Sequence, residues 1–157
     1  MATSVGFFIA RLRTNNYTLQ SLMHAATTSL IHRYYAAFNV GDMDTFLTLL
    51  TDDVAHDINQ SGREIGRDTF AAFMRRMNTS YREQIVNITV FASEDGQRAA
   101  AEFTVLGEYL KTDEGLPPAT GQKYTLPAGA FFDIRDGKVA RISNYYNLQD
   151  WLRQVGA

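Results

Sequence analysis

The second half of the chain alternates apolar and polar residues over four long segments, and this pattern restricts the fold more than any other feature. Two Asp-Gly pairs, Asp95-Gly96 and Asp136-Gly137, each join two of these segments. An Asp-Gly pair between alternating runs is a strong hairpin signal. A loop rich in glycine and proline, at residues 115–121, separates the two predicted hairpins. The second half is therefore predicted to form an antiparallel sheet.

The first half instead carries apolar residues at helical spacing. A long amphipathic helix is predicted from Thr18 to Val40, a short one from Met43 to Leu50 behind the capping residue Asp42, and a third after Gly66. The stripe of the third helix is Phe70, Phe73, Met74 and Met77. With a tail helix over 148–155, the pattern predicts an α+β fold, in which a cone-shaped curved antiparallel sheet packs on three N-terminal helices.

Length and patterning predict one domain. The chain has 157 residues, a size typical of a single domain. Residues 1–18 have no long apolar stripe and are predicted to be an N-terminal extension, with the domain at 19–157. The segment Tyr124 to Ile134 is apolar on both of its faces, which a single-layer sheet cannot cover by itself. We therefore expect a homodimer.

Composition excludes several classes of protein. The 15 basic and 17 acidic residues give a net charge of −2 without a basic stripe, so no nucleic-acid partner is expected. The absence of cysteine excludes disulfides and thiolate chemistry and fits a cytoplasmic protein. No apolar run approaches the roughly 20 residues of a membrane span. His24, His32 and His56 lack the spacing of a zinc motif, so no metal site is predicted.

The stretch from Asp52 to Asn59 is the main candidate for a functional site. It is predicted to hold a short strand over 54–59, and it places a histidine, an aspartate and an asparagine where burial is expected. Neighbouring residues of a strand point to opposite faces, so Asp57 and Asn59 should share one face and His56 the other.

Two orientations of this strand are open. If Asp57 faces inward among Phe70, Phe103 and Tyr109, desolvation should raise its pKa, which would suit a general base near neutral pH. In the alternative, Asp57 lies outside and caps the Gly62 turn, while His56 lies inside as a core histidine.

Four motifs resemble a known family. Residues 31–42 (Ile-His-Arg-Tyr-Tyr-Ala-Ala-Phe-Asn-Val-Gly-Asp) and 51–54 (Thr-Asp-Asp-Val) are similar to the opening of bacterial ketosteroid isomerases and SnoaL-like polyketide cyclases. Residues 116–121 and 132–139 are similar to the late loop and hairpin of the SnoaL-like branch. Both groups belong to the nuclear transport factor two-like superfamily, and the resemblance covers about residues 22–156. It implies a conical fold with a deep apolar pocket, usually a homodimer, a hydrophobic small-molecule substrate and no cofactor.

The resemblance also points to individual residues. Asp57 lies nine positions before Gly66, the offset at which ketosteroid isomerases carry their general base, although counting from Asp52 places that position on Ile58. Tyr34 matches the tyrosine that stabilises the developing oxyanion.

Two functional positions of the related enzymes are changed here. The second oxyanion donor of the isomerases would fall on Gly129, and the late strand, residues 142–147, lacks the acid of the polyketide cyclases.

The leading hypothesis is isomerase-type or cyclase-type proton transfer on a hydrophobic carbonyl compound, with Asp57, Tyr34 and His56 as candidate catalytic residues. The candidate substrate contacts are Asn59, Phe70, Phe73, Phe103, Tyr109, Asn144 and Tyr146. Two alternatives stay open. One is an epoxide hydrolase in which Asp57 and Asn59 or Tyr146 position water. The other is a non-catalytic ligand-binding or assembly module, since a fold does not fix a function.

Overall fold

A computed structural model describes residues 3–156, with side chains described from residue 17 onward. Within that part of the chain there are four helices and six strands. In chain order they are α1 (Thr3–Val40), α2 (Met43–Thr48), β1 (Leu50–Asp57), β2 (Arg63–Ile65), α3 (Arg67–Ser80), β3 (Tyr81–Ala92), β4 (Arg98–Tyr109), β5 (Gln122–Arg135), β6 (Lys138–Tyr146) and α4 (Leu148–Val155). The predicted α+β class, with N-terminal helices against a curved sheet, is confirmed.

The six strands form one sheet in the order β2-β1-β6-β5-β4-β3. Strands β3 to β6 pair as an antiparallel meander, as the hairpin signals predicted. Strand β1 joins the meander by parallel pairing with the last strand, β6, and its register shifts between Leu50 and Ala55. The sheet is therefore completed by strands from opposite ends of the domain.

Local capping explains where the short helices begin. The side chain of Asp42 accepts a hydrogen bond from the backbone N–H of Thr45 and caps α2, and Asn147 does the same for α4 through Asp150.

The turn between β3 and β4 needs Gly96, whose φ is +65° and where a Cβ would lie 2.7 Å from the Met23 carbonyl oxygen. This turn packs directly against α1.

The two faces of the sheet differ in what covers them. The inner face is covered by helices and carries the core, including Ala99, Phe103, Val105, Leu126, Phe132 and Ile142. The outer face is open and carries Phe91, Phe131 and Tyr145, each about half exposed. Phe91 and Phe131 line a shallow groove of about 230 Å³ there. No helix among the described residues is long and apolar enough to cross a membrane.

Several boundaries differ from the sequence prediction. Helix α1 begins at Thr3 instead of Thr18, while the side chains of residues 3–16, where most of the predicted extension lies, are outside the described part of the chain. Leu19 and Leu22, predicted within the apolar stripe, are 56% and 62% exposed because α1 continues past the edge of the sheet. Strand β2 forms where only the Gly62 turn was expected. Strand β3, whose alternation was counted from Ile85, begins earlier, at Tyr81.

Candidate functional site

Strand β1 turns His56 inward. Leu50, Val54 and His56 are all buried, so the alternation of the strand places the imidazole on the inner face. Its ring lies edge-on to two rings of α3, with centroid distances of 4.6 Å to Phe70 and 4.5 Å to Phe73. The alternative orientation, with the histidine inside, is the one that forms.

The prediction that Asp57 points into the interior is wrong. Its carboxylate lies on the outer face, where Oδ1 is 2.6 Å from Nε of Arg63 and Oδ2 is 2.9 Å from Nη1 of Arg141. The hydrogen bond from Arg63, supported by Arg141, lowers the pKa of Asp57, although desolvation was predicted to raise it. Asp57 is held as an ion pair outside the core, and this arginine pairing is the physical reason for the correction.

Asn59 lies beyond the end of β1, in an exposed turn. Its side-chain amide donates a hydrogen bond to the backbone oxygen of Asn144, and its Oδ1 accepts one from Ser143 Oγ at 3.4 Å. These bonds tie the turn to β6. Asp57 and Asn59 therefore do not face a substrate on the inner side, because Asp57 pairs with arginines on the outer face and Asn59 is bonded to Ser143, the register partner of Asp57.

On the inner side, Nδ1 of His56 and the hydroxyl of Tyr35 are buried and have no hydrogen-bond partner among the described residues. Buried polar groups are normally paired, so each such atom calls for an explanation such as a missing ligand or water. Burial lowers the pKa of His56 to about 4, against an opposing effect of the Asp57 charge. The imidazole is therefore neutral at neutral pH and can accept a proton.

A carboxyl group accompanies His56 on the same face. Glu64 of β2 is the register partner of His56, and Oε2 of Glu64 is also buried without a partner among the described residues. Directly opposite residues of an antiparallel pair have Cβ atoms about 5 Å apart. Sequence analysis missed Glu64 because β2 was predicted only as a turn.

The tyrosine predicted to donate to an oxyanion, Tyr34, is packed in the core. Its ring lies 4.5 Å from Phe46 and 5.6 Å from Phe132. The next residue, Tyr35, packs on Phe103 at 5.1 Å and presents the unpaired hydroxyl. Burial raises the pKa of Tyr35, and the adjacent Tyr34 raises it further, so this phenol stays protonated as a donor. Sequence analysis could have included Tyr35, four positions after the buried Ile31.

The other predicted contacts lie in three different places. Asn144 and Tyr146 of β6 pair in register with Ala130 and Ala128 on the inner face. Tyr109 is fully buried near α4 and lies 5.2 Å from Trp151, and its hydroxyl accepts a hydrogen bond from the backbone of Asp113. Tyr109 thus packs beside α4, whereas Phe70 and Phe73 flank His56.

Comparison with known proteins places this geometry in a family. The model of the SnoaL-like domain matches residues 31–142, which include α2, α3, β1 to β5 and the first half of β6. The chain belongs to the SnoaL-like family. None of the curated proteins searched matches the chain.

Solved structures of other SnoaL-like proteins extend the comparison. A Pseudomonas putida protein provisionally named a polyketide cyclase is 61% identical, with a TM-score of 0.81, and the match covers 82% of this chain and 97% of that one. A Xanthomonas campestris protein with the same provisional name is 56% identical, with a TM-score of 0.82 and coverage of 84% and 98%. An NTF2-like protein from Burkholderia xenovorans, at 16% identity, shares the fold alone, with a TM-score of 0.68 and coverage of 84% and 97%. The family and its provisionally named members support an enzyme of the cyclase or isomerase type.

Proposed function

We propose that the inner face around His56 is the active site of an enzyme that transfers a proton on a hydrophobic carbonyl compound, in a cyclisation or an isomerisation. The observation that carries this proposal is the buried Nδ1 of His56, which is neutral, unpaired and enclosed by the rings of Phe70 and Phe73. The provisional names of the similar proteins favour a polyketide-like substrate with several carbonyl groups.

The chemistry follows from the unpaired groups of His56 and Tyr35. His56 removes a proton from the carbon next to a carbonyl, and the electrons of that C–H bond form an enolate. The protonated hydroxyl of Tyr35 donates a hydrogen bond to the enolate oxygen, which stabilises the charge as it develops. The enolate then takes one of two courses. In an isomerisation, protonated His56 returns the proton to a different carbon, which is conjugated with the enolate through a neighbouring C=C bond; in a cyclisation, the enolate carbon attacks a second carbonyl carbon. In the cyclisation, the second carbonyl oxygen takes up the proton.

Asp57 supports this base from outside the site. Its negative charge raises the pKa of the neighbouring His56, against the larger effect of burial. We therefore assign Asp57 an electrostatic role behind the imidazole. The epoxide hydrolase alternative, in which Asp57 and either Asn59 or Tyr146 hold a water, requires Asp57 to face inward, and it does not.

Proton exchange on a simple ketone tests the proposal. The full chain is incubated in D₂O with 4-phenyl-2-butanone, and deuterium uptake next to the carbonyl is followed by NMR. General-base catalysis contributes roughly 10²–10⁴-fold, so His56→Gln should lose at least about a hundredfold of the exchange rate. His32→Gln is the matched control, because His32 is exposed on α1.

Tyr35→Phe separates the two roles. It removes only the hydroxyl and should lower the exchange rate by about a hundred- to a thousandfold, the range measured for loss of one oxyanion donor. Exchange that is equally fast in the wild-type protein, His56→Gln and His32→Gln would exclude His56 as the base. In that case, the non-catalytic binding module would be the better description.

A further inference from the structure

Phe73 of α3 links the buried imidazole of His56 to the surface of the protein. Of the two rings that flank His56, Phe70 is 2% exposed, whereas Phe73 is only partly buried. The two rings are stacked, with centroids 6.2 Å apart and planes 9° from parallel, and both stand edge-on to the imidazole. Phe73 is therefore the outer of the two rings on this side of His56.

A cationic side chain lies over this outer ring. The Cζ atom of Arg76 is 5.2 Å from the centroid of Phe73, a cation–π contact between residues that are neighbours on the surface of α3. The centroid of Phe73 is in turn 4.5 Å from that of His56. The guanidinium carbon thus lies within roughly 10 Å of the imidazole, since two sides of a triangle limit the third.

The charge of Arg76 is not neutralised within the described part of the chain. Arg76 is exposed and forms no ion pair with another described residue, whereas Arg63, Arg67 and Arg141 each pair with an aspartate. A guanidinium is always charged, and its paired N–H groups match the two oxygens of a carboxylate. The ring contact orients this group before any ligand arrives, which reduces the entropy cost of binding.

We propose that Arg76 selects the substrate, which is a hydrophobic ketone that carries a carboxylate at the end remote from the reacting carbonyl. The carboxylate binds the guanidinium at the surface, the apolar part contacts Phe73, and the carbonyl end reaches His56. A charge left at the surface avoids the cost of burying an unpaired ion beside the imidazole. This inference rests on the proposed function, because it takes His56 as the group that meets the carbonyl.

Three ketones of similar shape and different charge test this selection on the full chain. They are the para-carboxylate, the para-carboxamide and the para-aminomethyl derivatives of 4-phenyl-2-butanone. Deuterium exchange gives kcat and KM for each ketone, and NMR titration of the backbone amides gives Kd. The wild-type protein should show a KM and a Kd at least about fivefold lower for the carboxylate than for the neutral amide, and the weakest binding for the ammonium compound.

Matched variants identify the group that binds the carboxylate. Arg76→Gln should raise the KM and the Kd of the carboxylate at least about fivefold, with kcat and the values for the amide within about twofold of the wild type, because a contact to a non-reacting part of the substrate contributes uniform binding. Arg75→Gln is the control, since Arg75 is an exposed neighbour of equal charge without an ion pair or a cation–π contact among the described residues. It should change these values by less than about twofold. Arg76→Lys keeps the charge without the paired donors and should lie between Arg76→Gln and the wild type.

Two results would overturn the inference. One is an equal effect of Arg76→Gln and Arg75→Gln, which would show a general effect of charge, and the other is a wild-type KM no lower for the carboxylate than for the amide. The proposed function can fail separately. If exchange persists in His56→Gln while Arg76→Gln still weakens the Kd of the carboxylate, the catalytic role of His56 is lost and recognition by Arg76 stands. If exchange is lost in His56→Gln but Arg76→Gln binds the carboxylate as tightly as the wild type, only recognition by Arg76 is lost.

Discussion

Replacing Gly107 by alanine should destabilise the protein far more than such a small change usually does. The added Cβ would lie 2.5 Å from the Tyr124 hydroxyl and nearer still to ring carbons, whereas carbon atoms in contact prefer about 3.5–4.0 Å. The ring must therefore leave its place across β4. Because Gly107 does not have a positive φ, alanine adds no backbone strain there, and the substitution measures only the effect of the steric clash.

The expected cost follows from the contacts of Tyr124. The part-buried carboxyl group of Glu83 would lose the donor of its hydrogen bond, the Tyr124 hydroxyl, and this loss costs about 1–3 kcal/mol. Loss of the edge-on contact with Trp151 costs about 0.5–1.5 kcal/mol more. Alanine regains about 0.5–1 kcal/mol over glycine within a strand. The net loss should be about 0.5–4 kcal/mol, or roughly 1–16 °C in Tm for a chain of this length.

Urea denaturation, with a double-mutant cycle, measures this loss. Gly62→Ala is the matched control, since a Cβ there meets nothing within 4 Å, and its free energy of unfolding should stay within about 0.5 kcal/mol of the wild type. In a Tyr124→Ala background the ring is gone, so adding Gly107→Ala should cost less than about 0.5 kcal/mol. An equal cost of Gly107→Ala with and without the Tyr124 ring would refute the reasoning.

Three further predictions concern other parts of the molecule. The folded protein binds a proton at His56 only near pH 4, whereas the unfolded chain does so near 6.5. The free energy of unfolding should therefore fall as pH falls across this window, and denaturation curves of His56→Phe should lack this part of the pH dependence. Asp57→Asn should slow ketone exchange by less than about tenfold, because the carboxylate lies outside and acts only through its charge; a loss as large as that of His56→Gln would contradict this assignment. We propose that the outer face forms the interface of a homodimer. Phe131→Glu should then give monomers in sedimentation, whereas Val40→Glu, at an exposed position on α1, should not. A wild-type monomer at micromolar concentration would exclude the dimer.

The sequence was sufficient for the elements whose signals are local. The Asp-Gly turns predicted both hairpins, and Gly41 with Asp42 marked the boundary between α1 and α2. Alternation also placed Phe103 and Val105 on one face of β4, and in the structure this face is the buried one.

The orientation of β1 did not follow from the sequence because its determinants are distant. Arg141 lies 84 positions from Asp57, and nothing in the local pattern shows that it pairs with that carboxylate. The buried Val54 was the one local indication that His56, two positions on, would share its face. The inward position of Glu83 was missed for a different reason. Because β3 was expected to begin later, the inward alternation of Tyr81, Glu83 and Ile85 was not counted.

The parallel pairing of β1 with β6 has a consequence for how the chain acquires its structure. The partners Leu50 and Val139 lie roughly ninety residues apart, so this contact closes a loop that includes most of the domain. Such non-local pairing slows folding, commonly to milliseconds or seconds. During synthesis, β1 emerges long before β6 and has no neighbour on that side. The burial of His56 on this side can therefore be completed only after Ile142, its partner in β6, has left the ribosome.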